Sequence, residues 1–314
     1  MTTGFPLDTR PEPPPHSRVR ICVIFNPTAK GDRARRFRAQ LDAIGAHATL
    51  KQTTGAGEAR RMAADAVNEE FNVVVAAGGD GTVNEVLNGL GDAPDGFARV
   101  RLGVLPLGTV NVFARELGLP LSPGSAWEAV LRDRERRVDL PWVEWPAPQG
   151  QQRRYFAQLA GAGLDARAIE LVSWRLKKWI GPLAYIYAGL KAVREHAPRI
   201  RVSDGRTEMA GELVLIGNGR RYGGEYAVFP TASLGDGLLE VAVFPNAGWG
   251  TLLRCGPVLL ARQRLPAGVS RVIRASALTL ASDARVPFEL DGELVGHLPA
   301  TFGLRPGALR VAVP

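Results

Sequence analysis

The chain has 314 residues, of which 46% are apolar, a normal fraction for a globular protein with one large domain or two medium ones. The formal net charge of +8 favours polyanionic partners such as phosphates, nucleic acid or an anionic bilayer surface. Two cysteines exclude a disulfide framework, and no apolar run reaches the roughly eighteen residues of a membrane-spanning helix.

The N-terminal residues 1–17 predict a disordered lead-in. This stretch contains five prolines and lacks the apolar core of a signal peptide. We therefore expect a cytoplasmic protein.

Strands and helices alternate over the first half of the chain. This alternation predicts a parallel sheet covered by helices on both sides, forming an α/β domain over residues 18–140. The predicted strands are Val19–Phe25, His47–Gln52, Val73–Ala77 and Arg101–Leu105. The predicted helices are Asp32–Ile44, Glu58–Glu69, Thr82–Leu90 and Val112–Leu117.

A strand-rich region follows, and it predicts an antiparallel β-sandwich or barrel over residues 141–314. We place the domain boundary near Leu140. The predicted strands include Tyr155–Ala160, Ile200–Ser203, Glu212–Ile216, Leu238–Phe244, Val272–Ala275, Ala277–Ala281, Val286–Leu290 and Leu309–Val313.

A basic, aromatic helix is predicted over Ala166–His196, with Trp174 and Trp179. Such a helix can lie on an anionic lipid surface. A helix packed on the sheet with a solvated basic face explains the same pattern, and the sequence leaves both interpretations open.

The strongest chemical signal is the sequence GGDGT, which joins the strand Val73–Ala77 to the next helix. The first N–H groups of a helix lack partners and bind anions, and glycines let a phosphate approach the backbone. Asp80 is repulsive beside a phosphate unless a cation such as Mg²⁺ lies between them. An ordinary turn capped by Asp80 is the alternative. Three glycines with Asp80 and Thr82 favour a phosphoryl-binding site.

Four loops are expected to meet at one edge of the parallel sheet, because ligands bind at the carboxyl ends of its strands. They contain NPTAKG at 26–31, Thr53 with Thr54, GGDGT at 78–82 and PLGTVN at 106–111.

Two acidic turns stand out in the second domain. Asp236 lies in a Gly-Asp-Gly sequence, and Asp291-Gly292-Glu293 follows a predicted strand. Both fit hairpin turns. A turn does not require the second carboxylate of Glu293, so Asp291 or Glu293 could instead accept a proton from an attacking hydroxyl or bind Mg²⁺.

Taken together, GGDGTVNEV, PLGTVNVFARELG, FPTASLGDGLLEV and ELDGELVG resemble, in this order and spacing, the diacylglycerol-kinase catalytic-domain family. The resemblance covers the chain from about Val19 onward. It implies a Rossmann-like domain similar to NAD kinases and phosphofructokinases, followed by a β-sandwich. It also implies an ATP-dependent lipid kinase that uses Mg²⁺.

The same resemblance implies roles for individual residues. ATP would contact Asn26, Pro27, Thr28, Lys30, Thr53, Gly78, Gly79, Asp80, Gly81, Thr82, Asn84, Glu85, Gly108 and Thr109. Asp236, with the backbone carbonyls of Ser233 and Leu238, matches a structural Mg²⁺ or Ca²⁺ site. Asp291 and Glu293 match the motif that supplies the general base, and we favour Asp291. Asp80 would hold the Mg²⁺ of ATP.

The chain departs from the family pattern at three positions. Ala29 and Lys30 replace the usual Ser and Gly, and Val112 replaces the Asp that often follows Asn111. Because of these changes, a non-catalytic nucleotide-binding module remains an alternative to the lipid kinase. A soluble-metabolite kinase of the NAD-kinase type is a further alternative, which the later Asp-Gly motifs disfavour.

The expected partner is a lipid at an anionic membrane surface, visited by a peripheral enzyme. The basic residues are not interleaved with a nucleic-acid-reading motif, so we expect no nucleic acid. The sequence leaves open a homodimer and the identity of the lipid.

Overall fold

The computed structural model describes residues 19–27, 29–164, 166–167, 197–262 and 265–314. Its first half contains a parallel sheet with the strand order β2-β1-β3-β4, which confirms the predicted α/β domain. The strands are β1 (Ile21–Phe25), β2 (Thr49–Gln52), β3 (Val73–Gly78) and β4 (Arg101–Pro106). The helices are α1 (Asp32–Arg38), α2 (Leu41–Gly45), α3 (Glu58–Asn68), α4 (Asp80–Asp92), α5 (Gly96–Arg99), α6 (Val112–Glu116) and α7 (Pro123–Leu131).

Both faces of the parallel sheet are buried, which explains the continuous apolar strands. Val74 and Ala76 of β3 pack with α3 and α4, whereas Val73 and Val75 pack with α1, α2 and α7. Cys22 belongs to the first of these clusters, and burial raises the pKa of its thiol to about 12. It is a small buried hydrophobe.

The second half forms an antiparallel sandwich, which confirms the predicted fold class of this region. One sheet has the order β14-β13-β10-β7-β16-β17, and the other continues the parallel sheet as β4-β18-β15-β8-β9, with β5 on β18 and β6 on β5. The strands are β5 (Glu135–Ala147), β6 (Gly150–Tyr155), β7 (Leu159–Gly163), β8 (Ile200–Ser203), β9 (Glu208–Gly211), β10 (Leu213–Gly217), β11 (Arg221–Tyr222), β12 (Tyr226–Ala227), β13 (Leu239–Phe244), β14 (Arg271–Ala275), β15 (Ala277–Ala281), β16 (Pro287–Leu290), β17 (Glu293–His297) and β18 (Ala300–Ala312). One helix, α8 (Trp249–Arg262), follows β13.

The two domains share one continuous sheet because β18 is long and irregular. Its first part pairs with β15, its register with β5 shifts between Arg305 and Leu309, and Val311 then pairs in parallel with Leu102 of β4. The boundary expected near Leu140 falls inside β5, which pairs with β18 on both sides of that shift.

The strand predicted over Tyr155–Ala160 is wrong. β6 ends at Tyr155, β7 begins at Leu159, and the main chain between them turns around the Asp291 carboxylate. The helix predicted over Ala166–His196 lies almost entirely outside the described residues. Within the described part of the chain, no helix has the length and apolar composition needed to cross a bilayer.

Candidate active site

The GGDGT turn closes tightly between β3 and α4. A Cβ on Gly78 would lie 2.2 Å from Thr82 Oγ1, so only glycine fits there. Gly79 precedes the first residue of α4, and no side chain caps the helix. The first N–H groups of this 13-residue helix are therefore available to an anion.

The PLGT loop packs directly on this turn. A Cβ on Gly108 would lie 2.6 Å from Gly79 Cα, so the two backbones approach as only glycines allow. Asn111 Oδ1 accepts from Gly108 N–H at 3.0 Å, and Arg33 Nη1 donates to Gly108 O at 2.8 Å. Thr109 is exposed beside this contact. The structure thus brings the third and fourth loops together.

Thr53 of the second loop bonds to the last residue of β1, where the first loop begins. Its N–H donates to Phe25 O at 3.0 Å, and its side chain is buried. The first loop is held by Arg38, whose Nη1 donates to Ala29 O at 3.0 Å. Asn26 and Lys30 are exposed there. The predicted contact residue Thr28 lies outside the described residues.

Glu85 ties the second loop to the third. Its two carboxylate oxygens accept from Gly57 N–H at 2.9 Å and Ala59 N–H at 3.0 Å, at the start of α3. Glu85 lies on α4, so these bonds fix α3 against the helix that follows GGDGT.

Asp80 faces α6. Its Oδ1 accepts from Phe113 N–H at 3.3 Å. Burial raises the pKa of this carboxyl, and hydrogen bonds from the backbone of residues 111–113 oppose that shift. A nearby cation would stabilise the ionised form of such a half-buried carboxylate, so Asp80 fits a position beside a metal–phosphate group.

Asp291 is the anchor of the second domain on this site. Its Oδ2 accepts from Asn84 Nδ2 at 2.9 Å and Ala157 N–H at 2.7 Å, and its Oδ1 accepts from the N–H groups of Gln158 and Leu159 at 3.0 and 3.1 Å. Burial raises the pKa of this carboxyl, and these hydrogen bonds oppose the shift. Both oxygens are occupied by protein donors.

Glu293 lies over the GGDGT turn. Its Oε1 is 3.1 Å from the position that a Cβ on Gly81 would take, and the residue is exposed. The structure therefore brings the Asp-Gly-Glu motif of β16–β17 onto the first turn of α4. The arrangement joins an anion-binding helix terminus with a solvent-accessible carboxylate, which suits proton removal from a hydroxyl beside a phosphate.

Family models match both halves of the chain. Residues 20–143 match "Diacylglycerol kinase catalytic domain", and residues 158–313 match "YegS C-terminal NAD kinase beta sandwich-like domain". A "Probable lipid kinase YegS-like" of Pseudomonas aeruginosa (strain UCBPP-PA14) is 33% identical over 305 residues, covering 94% of each chain. The chain belongs to the diacylglycerol kinase family. This confirms the family, and the expectation of a kinase, drawn from the sequence.

Other members and solved structures agree. A "Diacylglycerol kinase" of Bacillus subtilis (strain 168) is 30% identical, covering 90% of this chain and 92% of the relative. A crystal structure of a diacylglycerol kinase from Bacillus anthracis str. Sterne shares the fold with a TM-score of 0.70 at 20% identity, covering 94% and 97% of the two chains. Yeast NADH kinase shares it with a TM-score of 0.54 at 10% identity, covering 95% and 84%. These two likenesses concern the fold alone.

An arginine lies at the place where the family resemblance implies a structural cation, beside Asp236. Asp236 forms an ion pair with Arg274, and Arg274 Nε lies 3.5 Å from Oε1 of the buried Glu240. Asp236 Oδ1 also accepts from Leu238 N–H at 3.1 Å, and Ser233 is exposed. No group of three or more acidic, His or Cys side chains surrounds a metal position among the described residues. The Arg274 guanidinium lies beside the Asp236 carboxylate, and the metal site expected at this turn stays a prediction.

Sequence reasoning missed three contributors to the site. Asn88 bonds to Asn84 and to the main chain of Tyr155, and Arg33 holds the PLGT loop. The third is the set of main-chain amides of residues 157–159, which bind Asp291 where the sequence pattern predicts a strand. The spacing of Asn84 and Asn88, four residues apart on an otherwise apolar helix face, is a signal that could have found the pair.

Proposed function

We propose that this kinase transfers the γ-phosphoryl group of ATP to a hydroxyl of a diacylglycerol-like membrane lipid. The observation that carries the proposal is the position of Glu293 over Gly81. A proton acceptor from one domain and an anion-binding helix terminus from the other face the same space. Lipid-kinase relatives at 30–33% identity over most of the chain support the acceptor class.

ATP binds in the crevice at the carboxyl ends of β1–β4 in this proposal. Backbone N–H groups of Gly79, Gly81 and Thr82 receive its phosphates, because they start α4 and lack intrahelical partners. The contacts expected from the family pattern are Asn26, Pro27, Thr28, Lys30, Thr53, Gly78, Asp80, Gly108 and Thr109. Asn84 and Glu85 support the phosphate-binding loops through their bonds to Asp291, Gly57 and Ala59. Arg33 adds a cation that is already bound to Gly108 O.

Mg²⁺ would be held with the nucleotide near Asp80. When bound, the metal neutralises charge that develops on the transferred phosphoryl group. Asp80 keeps the GGDGT turn in register with α6 through Phe113 N–H. This contact aligns the two phosphate-facing loops.

Glu293 is the proton acceptor in the proposed reaction. The O–H bond of the lipid breaks and its proton passes to the Glu293 carboxylate, a new bond joins the lipid oxygen to the γ-phosphorus, and ADP leaves with the electrons of the old bond. The sequence favoured Asp291 for this step. The four N–H donors on Asp291 make it an anchor, and they leave Glu293 as the accessible carboxylate of the motif.

A lipid acceptor requires the protein to visit a membrane surface. The net charge of +8 favours an anionic bilayer. We therefore propose a cytoplasmic, peripherally associated enzyme whose vesicle binding weakens as salt is added. The predicted docking segment around Trp174 and Trp179 lies outside the described residues.

The test is incubation with γ-labelled ATP and a total lipid extract, followed by identification of the labelled species. We expect label in a phosphorylated diacylglycerol-like lipid. A parallel reaction with NAD covers the soluble acceptor. Label in NAD alone, or tight ATP binding without transfer to any lipid, would overturn the proposal.

A further inference from the structure

Asn88 holds the end of β6 against α4. It is 2% exposed, and it binds the main chain of Tyr155 in both directions. Its Oδ1 accepts from Tyr155 N–H at 2.9 Å, and its Nδ2 donates to Tyr155 O at 2.9 Å. A carboxamide with both bonds replaces the peptide group of a neighbouring strand. The Asn88 side chain thus binds the last residue of β6 to the nucleotide domain.

Asn88 also sets the orientation of Asn84. Its Nδ2 donates to two oxygens of Asn84, the main-chain O at 2.9 Å and Oδ1 at 3.1 Å. The opposite side of the Asn84 amide is then its NH₂ group, which donates to Asp291 Oδ2 at 2.9 Å. Donors and acceptors therefore run in one direction from Asn88 through Asn84 to Asp291.

Asp291 links these hydrogen bonds to the part of the site where the reaction is proposed. It binds the N–H groups of residues 157–159, and Glu293 follows it by two residues. Glu293 in turn lies against Gly81. The place of the carboxylate over the GGDGT turn depends on where the β16–β17 turn is held.

We propose that Asn88 is a positioning residue for phosphoryl transfer, which rests on the proposed function above. It acts through Asn84 and Asp291 and sets where Glu293 stands relative to the first turn of α4. Asn88 projects into the domain interface, so nucleotide binding by the N–H groups of that first turn does not depend on it. The role concerns the rate of transfer rather than the affinity for ATP.

Asn88→Asp is the sharpest variant because it keeps the shape and exchanges a donor for an acceptor. The introduced carboxylate still accepts from Tyr155 N–H, but its second oxygen faces Tyr155 O and Asn84 Oδ1. Lowering the pH protonates that carboxyl and restores one donor. The rate of the variant relative to wild type should therefore rise as the pH falls.

The experiment compares steady-state kinetics of wild type, Asn88→Asp and Asn88→Ala with ATP and a diacylglycerol acceptor. We expect kcat to fall by about 10-fold or more in Asn88→Asp at neutral pH, with KM for ATP within about 2-fold. Asn68→Asp is the matched control, since Asn68 is an exposed residue at the end of α3. It should leave kcat and its pH dependence unchanged.

Amide hydrogen exchange separates this proposal from the proposed function. The N–H groups of residues 155–159 should exchange faster in Asn88→Asp than in wild type, whichever acceptor the enzyme uses. Wild-type kcat in Asn88→Asp, a rate ratio that does not change with pH, or unchanged exchange at 155–159 would each overturn the role. A parallel loss of kcat, ATP affinity and thermal stability would reduce Asn88 to a structural residue and would overturn it as well.

Discussion

The Glu293 carboxylate lies against Gly81, although 212 positions separate the two residues in the sequence. One belongs to β17 of the sandwich and the other to the first turn of α4. Contact between them places a carboxylate of the second domain where the first domain presents unpaired N–H groups. The proposed site therefore lies at the interface between the two domains.

Glu293→Gln should lower kcat for lipid phosphorylation by about 10²-fold, because the amide cannot accept the proton of the attacking hydroxyl. KM for ATP and the melting temperature should change little, since Glu293 is exposed. Glu208→Gln, which replaces an exposed carboxylate on β9, serves as the control in the same assay. A Glu293→Gln enzyme with wild-type kcat would remove Glu293 as the proton acceptor.

Asp291→Asn should destabilise the fold as well as reduce activity. The amide NH₂ replaces one acceptor oxygen and faces N–H donors, which costs about 1–3 kcal/mol of the free energy of unfolding. Urea unfolding of wild type and variant measures this difference.

The difference should also depend on pH with a defined sign. Burial raises the pKa of the Asp291 carboxyl, so the folded state retains its proton to higher pH than the unfolded state does. Its contribution to stability is therefore greatest below the ordinary pKa of about 3.9 and falls as the pH rises through the raised value. The gap between wild type and Asp291→Asn should therefore shrink as the pH rises above that ordinary value. A gap that widens towards alkaline pH would contradict the burial argument.

Much of the first domain could be predicted because its signals are local. The buried strands are continuous apolar runs, and glycines mark the turn at their carboxyl ends. Parallel topology then places these turns at one edge of the sheet. No partner outside the domain is needed for these inferences.

The contacts of Asp291 could not be predicted, because Asp-Gly reads as a turn and its partners lie more than 130 positions earlier. The same holds for β18. Only the register shift between Arg305 and Leu309 lets one strand serve both domains, and a local pattern carries no information about its distant partners. The domain interface is a tertiary property, and it is where the sequence was least informative.

Gly108→Ala should raise KM for ATP and lower the melting temperature. The new Cβ would lie 2.6 Å from Gly79 Cα, so the PLGT and GGDGT loops must move apart. The contact involves backbone atoms, which cannot rotate away as a flexible side chain could, so relieving it requires the loops to shift. Gly248→Ala is the matched control, since a Cβ there meets nothing within 4 Å. Unchanged ATP affinity in Gly108→Ala would show that the close approach of these loops does not shape the nucleotide site.

Removal of divalent metal should not change the melting temperature of the nucleotide-free protein. The sequence predicts a structural Mg²⁺ or Ca²⁺ at Ser233, Asp236 and Leu238, whereas the Arg274 guanidinium already neutralises Asp236 and lies beside the buried Glu240. Melting curves in excess EDTA and in millimolar Mg²⁺ or Ca²⁺ should therefore coincide. A clear rise of the wild-type melting temperature with metal would favour a bound divalent metal at Asp236.

Arg274→Met tests the same point from the protein side. It keeps the aliphatic stem and leaves the Glu240 carboxylate, 2% exposed, without its cation. We expect a loss of stability on the order of 1 kcal/mol, because Arg274 is itself partly exposed. Divalent metal should then restore part of the loss, since a cation can replace the missing charge. Arg271→Met, an exposed position on the same strand, should show neither effect. Equal metal responses in the two variants would mean that the Arg274 guanidinium does not take the place of a metal ion.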